Sequence, residues 1–128
     1  MMPAKLALAM VAATSVALCA CSTVADWGPE AGLTIPPEDV VAIGRLENLK
    51  SEPPTFDPED LLGHGWFSGR FHVSRVESGH LTERVVPVRY FGHTWFSEDV
   101  TFRFRLHRSE SGTYLICRRP DSSGYNCN

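Results

Sequence analysis

Ten arginines and five histidines are the residues of this chain best suited to chemistry, and their spacing decides which chemistry. His64, His72, His80, His93 and His107 form no HExxH pattern and no close pair on one strand, so a zinc-dependent hydrolase is not expected. His64 and His93 would make a metal site only if the fold joined them, and neither a metal nor another cofactor is assigned. Ser68 and Ser97 stand beside phenylalanines, outside the GxSxG elbow that exposes a hydrolase serine. The adjacent carboxylates Glu59-Asp60 and Glu98-Asp99 fall in segments of loop composition, where such acids are solvated. With no nucleophile matched to a base, catalysis is not expected. What remains is binding. Arg70, His72, Arg103 and Arg105 form a cationic stripe, and guanidinium forks suit phosphate or carboxylate groups.

The elements that must position this stripe read as strands. Val40–Leu46 is a short apolar run rich in β-branched residues, and Phe67–Val73 alternates with Phe67, Gly69, Phe71 and Val73 on one side. Arg84–Phe91 is β-rich but holds Pro87, which argues for an edge or a bulge. Val100–His107 alternates most clearly, with Val100, Phe102, Phe104 and Leu106 inward and Thr101, Arg103, Arg105 and His107 outward. Tyr114–Cys117 is the last strand. Five such strands predict a small all-β domain, an antiparallel barrel or sandwich. Asp57-Pro58 predicts one helical turn, with Asp57 as its cap.

The chain also repeats itself. Gly63-His64-Gly65-Trp66-Phe67-Ser68 recurs as Gly92-His93-Thr94-Trp95-Phe96-Ser97, with one of six positions changed. Arg70–Gly79 then recurs as Arg103–Gly112 with six of ten positions identical. A duplicated strand-and-turn unit explains this, with Trp and Phe in the core and Glu-Ser-Gly at the turn. The sharper alternative is a pair of His-x-Trp-Phe surfaces around Trp66 and Trp95 that grip a ligand between them. Because the repeat aligns Arg70 with Arg103 and His72 with Arg105, the stripe occupies equivalent outward positions.

The N-terminus gives the address. Met1–Lys5 carries one positive charge, Leu6–Leu18 is apolar and uncharged, and Leu18-Cys19-Ala20-Cys21 follows. This apolar run is shorter than the roughly 20 residues that span a bilayer. The tetrad resembles the bacterial lipobox, which has Leu three places before the modified cysteine and a small residue just before it. The resemblance implies that residues 1–20 are a removed signal peptide and that Cys21 carries a diacylglycerol thioether and an amide-linked acyl chain. Two or more chains hold stably, at about 0.8 kcal/mol per buried CH₂, where one is marginal. Ser22 after the cysteine resembles export to the outer membrane, facing the periplasm. Ordinary cleavage, for example after Ala25, is the alternative and would release a soluble protein. In an oxidising envelope Cys117 and Cys127, ten apart around a turn-rich stretch, are expected to form a disulfide.

Charge divides the mature chain. Ser22–Asp60 has nine acidic residues against Arg45 and Lys50, whereas Leu61–Asn128 has nine arginines against six acids. Residues 21–38 are proline-rich and acidic and read as a tether, leaving residues 39–128 for one β domain. A small barrel bearing arginines and aromatics also suits oligonucleotides, but an envelope address and an acidic balance argue against nucleic acid. The expected function is that of a membrane-anchored, non-catalytic accessory or structural protein docking onto an envelope protein or peptidoglycan. A small-ligand binder, or an inhibitor of a wall-degrading enzyme, is the second class.

Overall fold

Alternating burial along Thr101–Arg108, with Phe102, Phe104 and Leu106 buried and the residues between them partly exposed, sets the pattern of the fold. The computed structural model describes residues 23–52, 58–61, 63–117 and 127. It holds six strands: β1 (Val24–Asp26), β2 (Val40–Ser51), β3 (Gly65–Ser78), β4 (Val85–Gly92), β5 (Thr101–Arg108) and β6 (Tyr114–Ile116). Among the described residues there is no helix; 58–61 form a turn, and Asp57 lies outside them. Cys21 also lies outside the described residues.

Strands β2 to β6 close into a barrel in the order β2-β3-β4-β6-β5 and back to β2. The expected barrel of five strands is present, but its pairing is mixed. β6 runs antiparallel to β5 and parallel to β4. The reason is arithmetic: five strands in a ring cannot alternate direction all the way round, so one neighbouring pair must be parallel. This order and sense are those of the five-stranded Greek-key barrel known as the OB type. Pro87 lies one residue before the short stretch, Val88 and Arg89, where β4 pairs β6, on an edge with few ladder bonds.

The segment expected to be a free tether supplies β1 instead. β6 pairs only the last three residues of β5, Leu106–Arg108, which leaves the first half of that edge open. Val24–Asp26 fills it by pairing in parallel with Thr101–Arg103, and the Trp27 N–H continues the ladder to the Arg103 carbonyl. An unpaired edge is a liability, and here the chain's own N-terminal residues cover it.

The core is largely aromatic. Phe71 and Phe104 are fully buried with ring centroids 5.5 Å apart, and Phe67 stacks on Tyr90 at 4.8 Å. The two copies of the six-residue block take different conformations. Gly65–Ser68 is part of β3, whereas residues 93–100 form a loop over the same rim. Phe96 from this loop packs against Trp27, Tyr90, Phe102 and Phe104, closing the mouth of the barrel. The Tyr90 hydroxyl holds the loop by donating to the Thr94 carbonyl and accepting from the Phe96 N–H. The second repeated block begins as strand in both copies, but Glu77-Ser78 still belong to β3 whereas Glu110-Ser111 lie in a turn beyond β5. Gly79 and Gly112 follow Glu-Ser at the ends of β3 and β5 with φ of 80° and 86°, values that a side chain would strain.

At the opposite end Asp39 is wholly buried. Arg105 donates to its Oδ2 at 2.6 Å, and the His107 ring meets its Oδ1 at 2.6 Å. Arg105 also donates to the Cys127 carbonyl, and Cys127 is bonded to Cys117 directly after β6. The expected disulfide is therefore present, and it sits against the ion pair. Asp39→Ala is expected to lower the unfolding free energy by about 3–5 kcal/mol, because the guanidinium it pairs would stay half-buried without its partner. Cys127→Ser should cost about 2.5–3 kcal/mol from the loop entropy of a ten-residue separation. Urea unfolding of the two variants measures both.

Candidate functional site

The outer face of β2, β3 and β4 carries an open groove of about 560 Å³. Lys50 from β2, Ser68 and Arg70 from β3, Pro87 and Arg89 from β4, and Thr113 before β6 line it. Its construction starts from a bulge. Glu47 pairs Arg70 and Lys50 pairs Ser68, so two residues of β2, Asn48 and Leu49, face one residue of β3, Gly69. Asn48 takes a φ of 55°, which asparagine tolerates better than most residues. Leu49 turns toward the core and fills the place beside Gly69, where an added Cβ would lie 2.7 Å from the leucine Cδ2. The bulge returns Lys50 to the outward face beside Ser68.

The three groove cations differ in their surroundings. Arg89 is anchored: it meets both Glu52 oxygens at 2.8 and 2.7 Å and lies 4.3 Å over the Trp66 ring. Glu47, opposite Arg70 in the ladder, hydrogen-bonds His72 instead. Lys50 and Arg70 are thus exposed and, among the described residues, neither is paired with a carboxylate. Ser68 has no histidine or carboxylate within hydrogen-bonding distance among the described residues. The arrangement presents two free cations, one fixed guanidinium and two hydroxyls to a ligand. It is suited to an anion.

Arg70 and His72 lie on β3, and Arg103 and Arg105 on β5. β2 separates β3 from β5, and the two β5 arginines are committed elsewhere. Arg103 donates to Glu77 at 2.7 Å, to Asp26 at 3.0 Å and to the Pro29 carbonyl at 2.9 Å, strapping the N-terminal segment to the barrel. Arg105 straps the C-terminal end through Asp39 and Cys127. The hydrogen bond to Glu77, helped by Asp26, raises the Arg103 pKa above the usual arginine value. The same hydrogen bond, reinforced by Arg75, holds the Glu77 carboxyl below its ordinary value. Sequence reasoning passed over Lys50 and Arg89. The signals that could have found them are Gly69 inside a strand pattern and Asn48 opposite it, together the mark of a bulge.

The repeated blocks do meet, at the rim beyond the groove. His93 Nδ1 lies 3.2 Å from His64 Nε2, and His64 is held in turn by Asp60 through both its ring and its backbone N–H, at 2.8 and 2.7 Å. The two imidazoles share a hydrogen bond, so only one of the facing nitrogens carries the proton. Among the described residues no three His, Cys, Asp or Glu side chains are grouped to hold a metal. Trp66 and His64 pack on Phe91, with centroids 5.4 and 5.7 Å apart. Trp95 lies edge-on against Phe67 and is 57% exposed. Trp66, His64 and Phe91 thus form one aromatic group, and Trp95 packs separately on Phe67.

No family model, curated protein or solved structure matches this chain.

Glu77 gives the acid response a definite sign. Because its folded pKa is lowered, the Glu77–Arg103 pair stabilises the fold above the ordinary carboxylate range, and this is lost as pH falls through the folded value. Glu77→Gln should therefore be less stable than the parent at about pH 6 and show a shallower loss of stability down to about pH 3. Urea midpoints measured across that range test this.

Proposed function

We propose that this chain is a lipid-anchored bacterial envelope protein that docks, without catalysis, onto an extended carboxylate-bearing partner. The partner is peptidoglycan or an acidic segment of an envelope protein. The observation that carries this reading is the groove itself, with exposed Lys50 and Arg70, neither paired with a carboxylate among the described residues, beside an Arg89 already fixed by Glu52 and Trp66. Arg89 keeps its place without a ligand, so part of the site's order is established before binding. The outer face of the second and third barrel strands is also where barrels of this strand order take up linear ligands.

Several features support the anchor. The lipobox resemblance puts the modified Cys21 three residues before Val24. The alternative cut after Ala25 would divide β1 and remove two of the three residues that cover β5. A disulfide at the C-terminus suits an oxidising compartment. Arg103 and Arg105, spent on internal pairs, are better read as clamps than as a docking surface.

The test measures binding of the full chain to purified peptidoglycan and to poly-glutamate. Lys50→Glu combined with Arg70→Glu should weaken binding to one of them about tenfold or more while leaving the thermal midpoint unchanged, since both side chains are exposed. Binding should also weaken as salt rises. Affinity indifferent to both charge reversal and salt sinks the docking proposal.

A further inference from the structure

Two exposed apolar side chains remain unexplained by the groove. Leu61 is 94% exposed and Trp95 57%. Leu61 lies four residues before β3 begins, and Trp95 lies in the loop that joins the end of β4 to the start of β5. β3 begins where β4 ends, with Gly65 opposite Gly92, so both residues belong to one rim of the barrel.

The N-terminus enters the barrel at the same rim. β1 runs parallel to β5, and Val24, itself 37% exposed, lies opposite Thr101, the first residue of that strand. Cys21 is three residues before Val24, and three trans peptide steps of 3.80 Å reach at most about 11 Å. A lipid on Cys21 would therefore hold this rim, rather than any other part of the barrel, against the bilayer. Of the four large apolar residues exposed among the described residues, three are Leu61, Trp95 and Val24; the fourth, Leu33, lies in the connection from β1 to β2. We propose that the rim bearing Leu61 and Trp95 rests in the interfacial layer of the membrane that holds Cys21. The proposal rests on the lipid-anchor reading given above.

The side chains suit that layer. An indole has an apolar ring and an N–H that can stay hydrated, the combination that enriches tryptophan at membrane interfaces. Charge then selects the lipid. Glu98 and Asp99 are exposed at the rim, while Asp60 faces His64 and Asp26 faces Arg103. His93, at the same rim, is hydrogen-bonded to His64. An acidic rim favours a zwitterionic surface over an anionic one, which separates this contact from attraction of the cationic groove to lipid phosphates.

The experiment uses the full chain purified with its native modification and reconstituted into phosphatidylcholine vesicles carrying acyl chains brominated near the headgroup. Mass spectrometry of the Cys21 peptide establishes the anchor first. Trp95 is one of three tryptophans, so quenching of about a third of the emission is expected. Trp95→Phe should abolish that quenched component while acylation and thermal midpoint stay unchanged. Replacing part of the lipid with phosphatidylglycerol should reduce it. Acylated protein quenched no more than Trp95→Phe overturns the rim contact and leaves the anchor standing. Unmodified Cys21 overturns the anchor and the rim contact with it. Stronger quenching in anionic vesicles overturns the proposal in favour of contact through the groove. A concentration-dependent shift of Trp95 emission in detergent, without vesicles, overturns it in favour of a second copy covering the rim.

Discussion

Closure of the barrel is carried by Tyr114–Ile116, three residues that must join β4 on one side to β5 on the other. Two register pairs with β4 and three with β5 are few for a seam, and the surrounding structure reinforces it. The Cys117 N–H extends the ladder to the Arg105 carbonyl, and the disulfide ties the residue after the strand to Cys127. Arg105 connects the Cys127 carbonyl to buried Asp39 at the entry to β2. One guanidinium thus couples the first and last parts of the barrel. The shortness of the same strand leaves the first half of β5 uncovered, which is why Val24–Asp26 has an edge to join.

The arginines divide by surroundings rather than by type. Arg103 and Arg105 lie where carboxylates from distant parts of the chain converge on them, Asp26 and Glu77 on one and Asp39 on the other. Each acts as a tie across the fold. Arg70 has an acid opposite it in the ladder, yet Glu47 turns to His72 and leaves the guanidinium exposed. Arg89 stands between these cases, fixed by Glu52 and the Trp66 face while still lining the groove. The split between an acidic N-terminal part and an arginine-rich remainder has a structural consequence as well: Asp26, Asp39 and Glu52 from the first part all pair with arginines of the second.

Much of the barrel was legible because alternation is a local property. Phe102, Phe104 and Leu106 announce their inward face within eight residues, and Gly79 and Gly112, which close the repeats, mark where the chain turns. Strand sense was less accessible, since the parallel β4–β6 pair follows from ring closure and not from any residue in either strand. β1 was missed because three residues in a proline-rich, acidic stretch carry no periodicity; only the vacancy on β5 gives them a structure. The site was half legible. Arg70 and Trp66 were picked out as binding residues and line or flank the groove, but Lys50 reaches it through a bulge that shifts the register by one residue. The repeat misled in one respect, because it equated Arg70 with Arg103 when only Arg103 meets carboxylates from other segments. The two Trp-Phe blocks likewise share residues and not conformation, one completing a strand and the other plugging the mouth with Phe96.

The parallel attachment of β1 has a mechanical side. Its three register pairs with β5 are followed by the Trp27 amide bond, and Arg103 grips Asp26 and Pro29 just beyond. A pull on the N-terminus along the strand axis loads these contacts together, in shear, so that they must fail as a group. Pulled perpendicular to the strand, the same contacts would peel one after another. The attachment of β1 is therefore strongest against tension directed straight out through the rim where that strand begins.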